Sequence, residues 1–192
     1  MYYEKAADEK SYYLFRYGLY DESTETYVTP PHCHDGYELL IVTKGSAETV
    51  VNGERKKLFA GEIFFADSYD IHSFIFDKCE RYSLVFSKDY CKMFADGENT
   101  FPNYPSCDKE SFDAIRARLE EYRSKYGENI PNGLLVESII SYVLGIMELS
   151  CKKVSRSEKS NELMISVLDY INKNFESDIT LSALASKFGY ST

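Results

Sequence analysis

Three histidines are all the chain has, and two of them, His32 and His34, flank Cys33 in the stretch PPHCHDGYELLIVTKG, with Glu38 four residues further on. Side chains at i and i+2 of a β-strand point to the same face. An unbroken strand here would therefore aim His32, His34 and Glu38 to one side and Cys33 to the other. Imidazole and carboxylate are good ligands for zinc, nickel, iron or manganese. Two histidines and one carboxylate leave coordination positions open, and a fourth ligand can come from a facing strand. The third histidine, His72, lies in the strand-like run DIHSFIFD. These residues are consistent with a metal site, the mouth of a ligand pocket, or simply the first strand of a barrel.

The elements that must position them are short strands separated by turn signals, from about Tyr12 to Phe86. YELLIVTKG is an apolar strand ending in glycine, and Asn52-Gly53 in ETVVNGERKKL is a strong hairpin signal. AGEIFFADS, DIHSFIFD and RYSLVFS follow at even spacing, which suggests a sandwich or barrel. Near residue 88 the character changes. FPNYPSCD reads as a loop, and DKESFDAIRARLEEYRSKYG has helical spacing, with Phe112, Ile115, Leu119 and Tyr122 on one stripe and Gly127 placed to close it. A second helix, opened by Pro131, is apolar over an unusually wide arc and must pack on more than one neighbour. Leu135, Ile139, Tyr142 and Ile146, with Leu149, are expected on a face turned away from the barrel, and an exposed apolar face of that size predicts a homodimer.

KKVSRSEKSN reads as a linker. Beyond it, Met164, Val167, Leu168, Ile171 and Phe175 form one amphipathic face. Thr180 is a good helix N-cap, Leu181, Leu184, Ala185 and Phe188 follow as the expected buried face, Gly189 sits where a C-terminal glycine belongs, and Ser191 is placed to cap a further helix. The organisation expected is a barrel over 1–100, a helical element over 101–152, a linker over 153–160 and a helical domain over 161–192.

Composition narrows the function. The formal net charge of −9 argues against nonspecific nucleic-acid binding by these 192 residues. The 17 tyrosines suit half-buried strands and pocket walls, where the ring is buried and the hydroxyl stays wet. Five widely spaced cysteines without a CxxC pair indicate neither a zinc knuckle nor a disulfide framework. The reading is a reduced, cytoplasmic protein without a membrane span.

Two resemblances rest on these residues. His32-x-His34-x3-Glu38-x6-Gly45 resembles the first cupin motif, and Gly61-x5-Asp67-x-Tyr69-x2-His72 the second. In metal-binding cupins, which are double-stranded β-helix (jelly-roll) barrels, the positions matching His32, His34, Glu38 and His72 are the ligands. The chain departs from the pattern at Thr26, Asp67, Tyr69 and Phe76, where the motifs have glycine, proline, glycine and asparagine. The stretch from His32 to Phe74 is also similar to the sensor domain of AraC-type bacterial transcription regulators, and SVLDYINKNFESDITLSALASKFGYS to the start of that family's helix-turn-helix domain. The resemblance implies that the segment Thr180 to Phe188, with Leu184 and Ala185, is the first helix of that motif and Gly189-Tyr190-Ser191 its turn.

The fold implied is mainly β with C-terminal helices: a cupin barrel, a helical dimerisation element and a truncated helix-turn-helix domain. The function implied is that of an effector sensor and not an enzyme. A small molecule would bind in the barrel near His32, His34, Glu38 and His72 and control DNA binding by a C-terminal domain. In that family the same positions are often kept without a metal, so no cofactor is required and a transition metal is an additional possibility. The full protein is expected to bind DNA specifically, and this stretch alone is not, because a recognition helix would start near Ser191. The competing reading, a small metal-dependent cupin enzyme such as a dioxygenase or sugar isomerase, gives no account of LSALASKFGYS.

Overall fold

The computed structural model describes residues 2–3, 13–18, 26–95, 97–127, 133–156, 162–174 and 176–191. The expectations placed on Pro131 and Phe175 lie outside these residues, as does the side chain of Met164. The chain divides into two compact units, residues 1–154 and 155–192.

The first unit is mainly β. Its strands are β1 (Tyr2–Tyr3), β2 (Tyr13–Gly18), β3 (Tyr27–Val28), β4 (His32–Cys33), β5 (Gly36–Val51), β6 (Glu54–Phe59), β7 (Ile63–Ala66) and β8 (His72–Ser87), all in one sheet. β5 and β8 are each 16 residues long and pair antiparallel along their whole length, from Gly36↔Ser87 to Val51↔His72. The register shifts twice midway, between Val42 and Lys44 and between Gly45 and Ser46. Bulges of this kind bend a strand and increase its twist. Gly45 stands at the bend with φ 72°, where an added Cβ would meet the backbone oxygen of Lys78. A glycine is required there because the two backbones approach too closely for a side chain.

The bend splits the sheet into two halves. In one, β2 and β7 flank the pair formed by residues 36–42 and 81–87. In the other, β3, β4 and β6 flank the pair formed by residues 46–51 and 72–77. Alternation then separates two apolar cores. Leu40, Val42, Phe64 and Ala66 from the first half pack with Ala47, Val51, Leu58, Phe74 and Phe76 from the second, which is the interior between the halves. Tyr37, Leu39, Ile41, Ile63, Phe65, Tyr82, Leu84 and Phe86 face the opposite way and join a separate cluster with the helices. The Asn52-Gly53 hairpin forms as expected, with φ 48° and 88°, the left-handed pair that a two-residue turn requires.

After β8 come a short helix α1 (Lys92–Ala95) and a strand β9 (Asn99–Thr100), then α2 (Lys109–Tyr126) and α3 (Leu134–Ser150). Asp108 caps α2, its Oδ1 accepting from the Ser111 N–H at 2.9 Å. The expected stripe of Phe112, Ile115, Leu119 and Tyr122 is buried, and Gly127 closes the helix with its N–H on Arg123 O. α2 and α3 run antiparallel: Tyr122 lies 2.7 Å from Ser138 Oγ at one end, and Cys107 lies beside Ser150 at the other. One expectation on α3 is corrected. Ile139 is fully buried with Val136, Ile140, Val143 and Met147, so it belongs to the monomer's core and not to an outward face. Leu135 and Ile146 are half-buried against that core, while Leu134, Tyr142 and Leu149 are exposed. A helix apolar over most of its circumference does not announce which side its neighbours take.

The second unit holds α4 (Glu162–Asn174) and α5 (Leu181–Phe188). Both caps of α5 are as expected: Thr180 Oγ1 accepts from Ala183 N–H at 3.1 Å, and Gly189 is left-handed with φ 75°. Phe188 meets Tyr170 edge-on at 6.0 Å between ring centroids. The expected buried face is only partly buried. Leu184, Ala185 and Phe188 are half-buried, whereas Leu181 is 82% exposed. Ser191 is exposed beyond the turn.

Candidate functional site

The three histidines and Glu38 meet at the interior, between the two halves of the sheet. His72 opens β8 in the second half, and β4 pairs with it directly through His32↔His72. Glu38 comes from β5 in the first half, opposite Ala66 and Val85. The strand expected to carry His32, His34 and Glu38 without a break is interrupted at His34-Asp35. Convergence is instead secured by the turn before β8, where Tyr69 N–H donates to His34 O at 2.9 Å. Tyr69 adopts φ 63°, the left-handed conformation, at the position where the cupin pattern has glycine. The bend is thus kept at the cost of strain, on the order of 1 kcal/mol.

All four residues are buried, none more than 6% exposed. One donor atom from each lies within 4.8 Å of all the others. Glu38 Oε2 is the hub, 3.0 Å from His72 Nε2, 3.6 Å from His34 Nε2 and 4.0 Å from His32 Nε2.

The far nitrogens decide the chemistry. His32 Nδ1 lies 2.9 Å from Pro30 O, and His72 Nδ1 lies 2.8 Å from Asp70 O. A carbonyl only accepts, so both Nδ1 atoms carry hydrogen, and in a neutral ring Nε2 is then a bare acceptor. His72 Nε2 nevertheless sits at hydrogen-bonding distance from a carboxylate oxygen. Two buried acceptors cannot face each other at 3.0 Å without a cation between them, whether a proton or a metal.

Without a metal the cation is a proton on His72. Burial alone would lower the His72 pKa, but the hydrogen bond and charge of Glu38 outweigh it and raise it. Burial alone would raise the Glu38 pKa, but the imidazoles of His34 and His72 outweigh it and hold the carboxyl far below its usual range. Both ring nitrogens of His34 are buried with no hydrogen-bond partner among the described residues. Its Nε2 has only the 3.6 Å contact with Glu38 Oε2, and a buried imidazole so poorly satisfied is costly unless something occupies the space it faces.

The donor set fits a transition metal. Ligands each about 2.0–2.2 Å from one ion lie at most roughly 4.3 Å apart, so the cluster needs to contract by roughly half an ångström. The hydrogen bonds to Pro30 O and Asp70 O are the outer contacts that fix ligand tautomers in metal sites. Three imidazoles and one carboxylate leave positions on a six-coordinate ion for a further ligand.

Residues that sequence reasoning missed hold this arrangement. Asp70 accepts from Asn52 Nδ2 at 2.8 Å, from Asp67 N–H at 2.9 Å and from Asn103 Nδ2 at 2.7 Å. Asn103 O also accepts from Phe65 N–H at 2.9 Å, so the segment after β9 is bound to β7. Tyr104, the next residue, covers the edge of the interior core, its ring 5.7 Å from Phe64 and its hydroxyl 2.9 Å from Thr49 Oγ1. Nothing in the spacing signals the contacts of Asn103 and Tyr104, because their partners are more than 30 residues away.

A bent sheet with a polar cluster in its interior and a helical hairpin on its outer face defines a ligand-binding domain of the AraC type. The chain belongs to that family: the model of the AraC-like ligand binding domain matches residues 18–144. Among curated relatives, it is similar to the HTH-type transcriptional activator RhaS of Mannheimia succiniciproducens, 26% identical over 168 residues. It is also similar to RhaS of Escherichia coli O81, 21% identical over 173 residues. Each match covers 84% of this chain and 62% of the relative, so the chain spans about three-fifths of those proteins' length. Among solved structures, ToxT from Vibrio cholerae O395 shares the fold with a TM-score of 0.53 at 10% identity, covering 95% of this chain and 71% of ToxT. A ToxT structure with bound unsaturated fatty acid matches with a TM-score of 0.54 at 12% identity, covering 93% and 69%. No helix among the described residues is long and apolar enough to cross a membrane.

Proposed function

We propose that this chain is the sensing part of an AraC-type transcription regulator, and that its interior cluster of His32, His34, Glu38 and His72 binds a cation that a small-molecule effector then joins. The observation that carries this reading is the convergence of three Nε2 atoms on one carboxylate oxygen while two of the rings have committed Nδ1–H to backbone carbonyls. That arrangement accommodates a transition metal such as zinc, nickel, iron or manganese. A bound metal would supply a Lewis-acidic centre; the chain's residues fix its position and exclude water. A fold-sharing protein has been solved with a fatty acid bound, which supports a small-molecule effector for this fold without identifying the one bound here.

Effector binding has to favour one arrangement of the remaining protein over another to regulate anything. The outward residues of α3, Leu134, Tyr142 and Leu149, are the apolar surface available for a homodimer. The second unit, with α5 and the turn at Gly189, corresponds to the beginning of a helix-turn-helix domain, and specific DNA binding belongs to the whole protein.

The test is a thermal-unfolding and equilibrium-dialysis titration of chelator-stripped chain with zinc, nickel and manganese. One ion per chain and a raised Tm are expected, both lost in His34→Ala. Failure of the wild-type chain to take up any of the three ends the cation reading. Uptake undiminished in His34→Ala places the ion elsewhere.

A further inference from the structure

Away from the histidine cluster, two of the five thiols meet at a single oxygen. Cys107, in the loop leading into α2, lies 3.5 Å from Ser150 Oγ, and Cys151, which caps the end of α3, lies 3.7 Å from the same atom. The hydroxyl has one proton, and it goes back to Ile146 O at 2.9 Å. Towards the thiols the oxygen can then only accept. Both thiols are therefore placed to donate to the same atom, and two side chains 44 residues apart in sequence are drawn to one spot.

We propose that Cys107 and Cys151 form a reversible dithiol–disulfide site, oxidised by a hydroperoxide. Cys107 is half-buried whereas Cys151 is buried, so Cys107 is the thiol a peroxide meets first. The Cys107 thiolate attacks the outer oxygen of the peroxide, the O–O bond breaks, and the leaving alkoxide takes a proton. Cys107 is now a sulfenic acid. Cys151 gives up its proton and its sulfur attacks Cys107 Sγ; the S–O bond breaks and water leaves. Two thiols and one hydroperoxide give one disulfide, one alcohol and one water.

Burial pushes the Cys151 thiol up to about 11, with the neighbouring Cys107 adding to the rise. The second step is consequently slow, since the thiolate is the nucleophile. The finished bond is slow to open for the same reason, because a thiol of high pKa is a poor leaving group.

The position gives the modification a consequence. Cys151 N–H closes α3 on Met147 O at 2.7 Å, and three residues later the chain reaches the boundary between the two units. A Cys107–Cys151 bond would tie the start of α2 to the end of α3 and fix the point from which the chain runs into the second unit. In a reducing compartment, disulfides of this kind are transient and serve redox sensing.

The experiment is hydrogen peroxide treatment of the whole folded chain, followed by non-reducing digestion and mass mapping, with urea-unfolded chain treated in parallel. In the folded chain the Cys107–Cys151 peptide pair should be the main disulfide product, formed within single chains and reversed by dithiothreitol. The unfolded chain should scatter its pairings among all five thiols. In Cys151→Ser, Cys107 should be trapped by dimedone as the sulfenic acid; should that variant not fold, the wild-type mapping decides alone. Three results overturn the proposal: a linked pair no more abundant in folded than in unfolded chain, a different dominant pairing, or Cys107 over-oxidised while Cys151 still alkylates.

Discussion

Replacing Glu38 by glutamine separates the two cations the site can hold. In the metal-free chain the His72–Glu38 contact is an imidazolium–carboxylate hydrogen bond of 3.0 Å, buried on both sides. Charge-assisted bonds of this kind contribute about 1.5–3 kcal/mol, against roughly 0.5–1.5 for a neutral bond. The His72 pKa is raised above its ordinary 6.5, so its contribution is full below that pH and is lost as pH rises through the folded value. The Glu38 pKa is lowered below its ordinary 4.5, so its contribution is full above that pH and is lost as pH falls towards the folded value. The two shifts are one interaction seen from its two ends and count once. The metal-free wild type should therefore gain about 2 kcal/mol from this pair between roughly pH 4.5 and 6.5, and less on either side. At about 2–4 °C per kcal/mol for a unit of this size, Tm should fall by roughly 4–8 °C as pH rises past the His72 transition. In Glu38→Gln the amide N–H can donate to a neutral His72 Nε2, so folding survives, but the pH dependence and metal uptake should both disappear. The assay is calorimetry of chelator-stripped protein from pH 5 to 9. A wild-type Tm that is flat across that range, or a Glu38→Gln profile with the same slope, would refute the reasoning.

Three further outcomes follow from the packing. Asp70→Ala strips the acceptor from three donors, those of Asn52, Asp67 and Asn103, and should cost about 2–4 kcal/mol in chemical unfolding, with weakened metal affinity because the turn carrying the His72 contact loosens. Ile139→Glu should leave the first unit unfolded by circular dichroism, whereas Leu149→Glu should keep the fold and shift a dimer to monomer in sedimentation; a folded Ile139→Glu would contradict its place in the core. Gly45→Ala forces a side chain onto the Lys78 carbonyl in a left-handed conformation, and should lower stability by more than the ~1 kcal/mol of an ordinary glycine-to-alanine strain.

What could be read in the sequence was local or carried by resemblance. The Asn52-Gly53 turn, the stripe Phe112–Ile115–Leu119–Tyr122 and the Thr180 and Gly189 caps depend on a few neighbouring residues, and each formed as its spacing indicated. His32, His34 and Glu38 were legible as candidates from parity and the cupin pattern, and His72 from the cupin pattern, and the structure brings all four together. The break at His34-Asp35 was not legible, nor was the bend that divides β5 into two halves, because bulges answer to strand pairing across the sheet. Ile139 and Leu181 went astray for opposite reasons. One lies on a helix with too many apolar faces to choose between, the other on a helix whose apolar stripe finds few partners. The Asp70–Asn103 and Thr49–Tyr104 contacts join residues 33 and 55 apart, a separation at which local spacing carries no signal.

The most direct measurement is anomalous diffraction from crystals of the chain grown with zinc after chelator treatment and collected on both sides of the zinc edge. The account predicts one strong peak in the interior, bounded by the imidazoles of His32, His34 and His72 and by Glu38 Oε2, with both Nδ1–H bonds to Pro30 O and Asp70 O retained. An interior without a peak, in crystals that carry zinc only on exposed carboxylates, would contradict it.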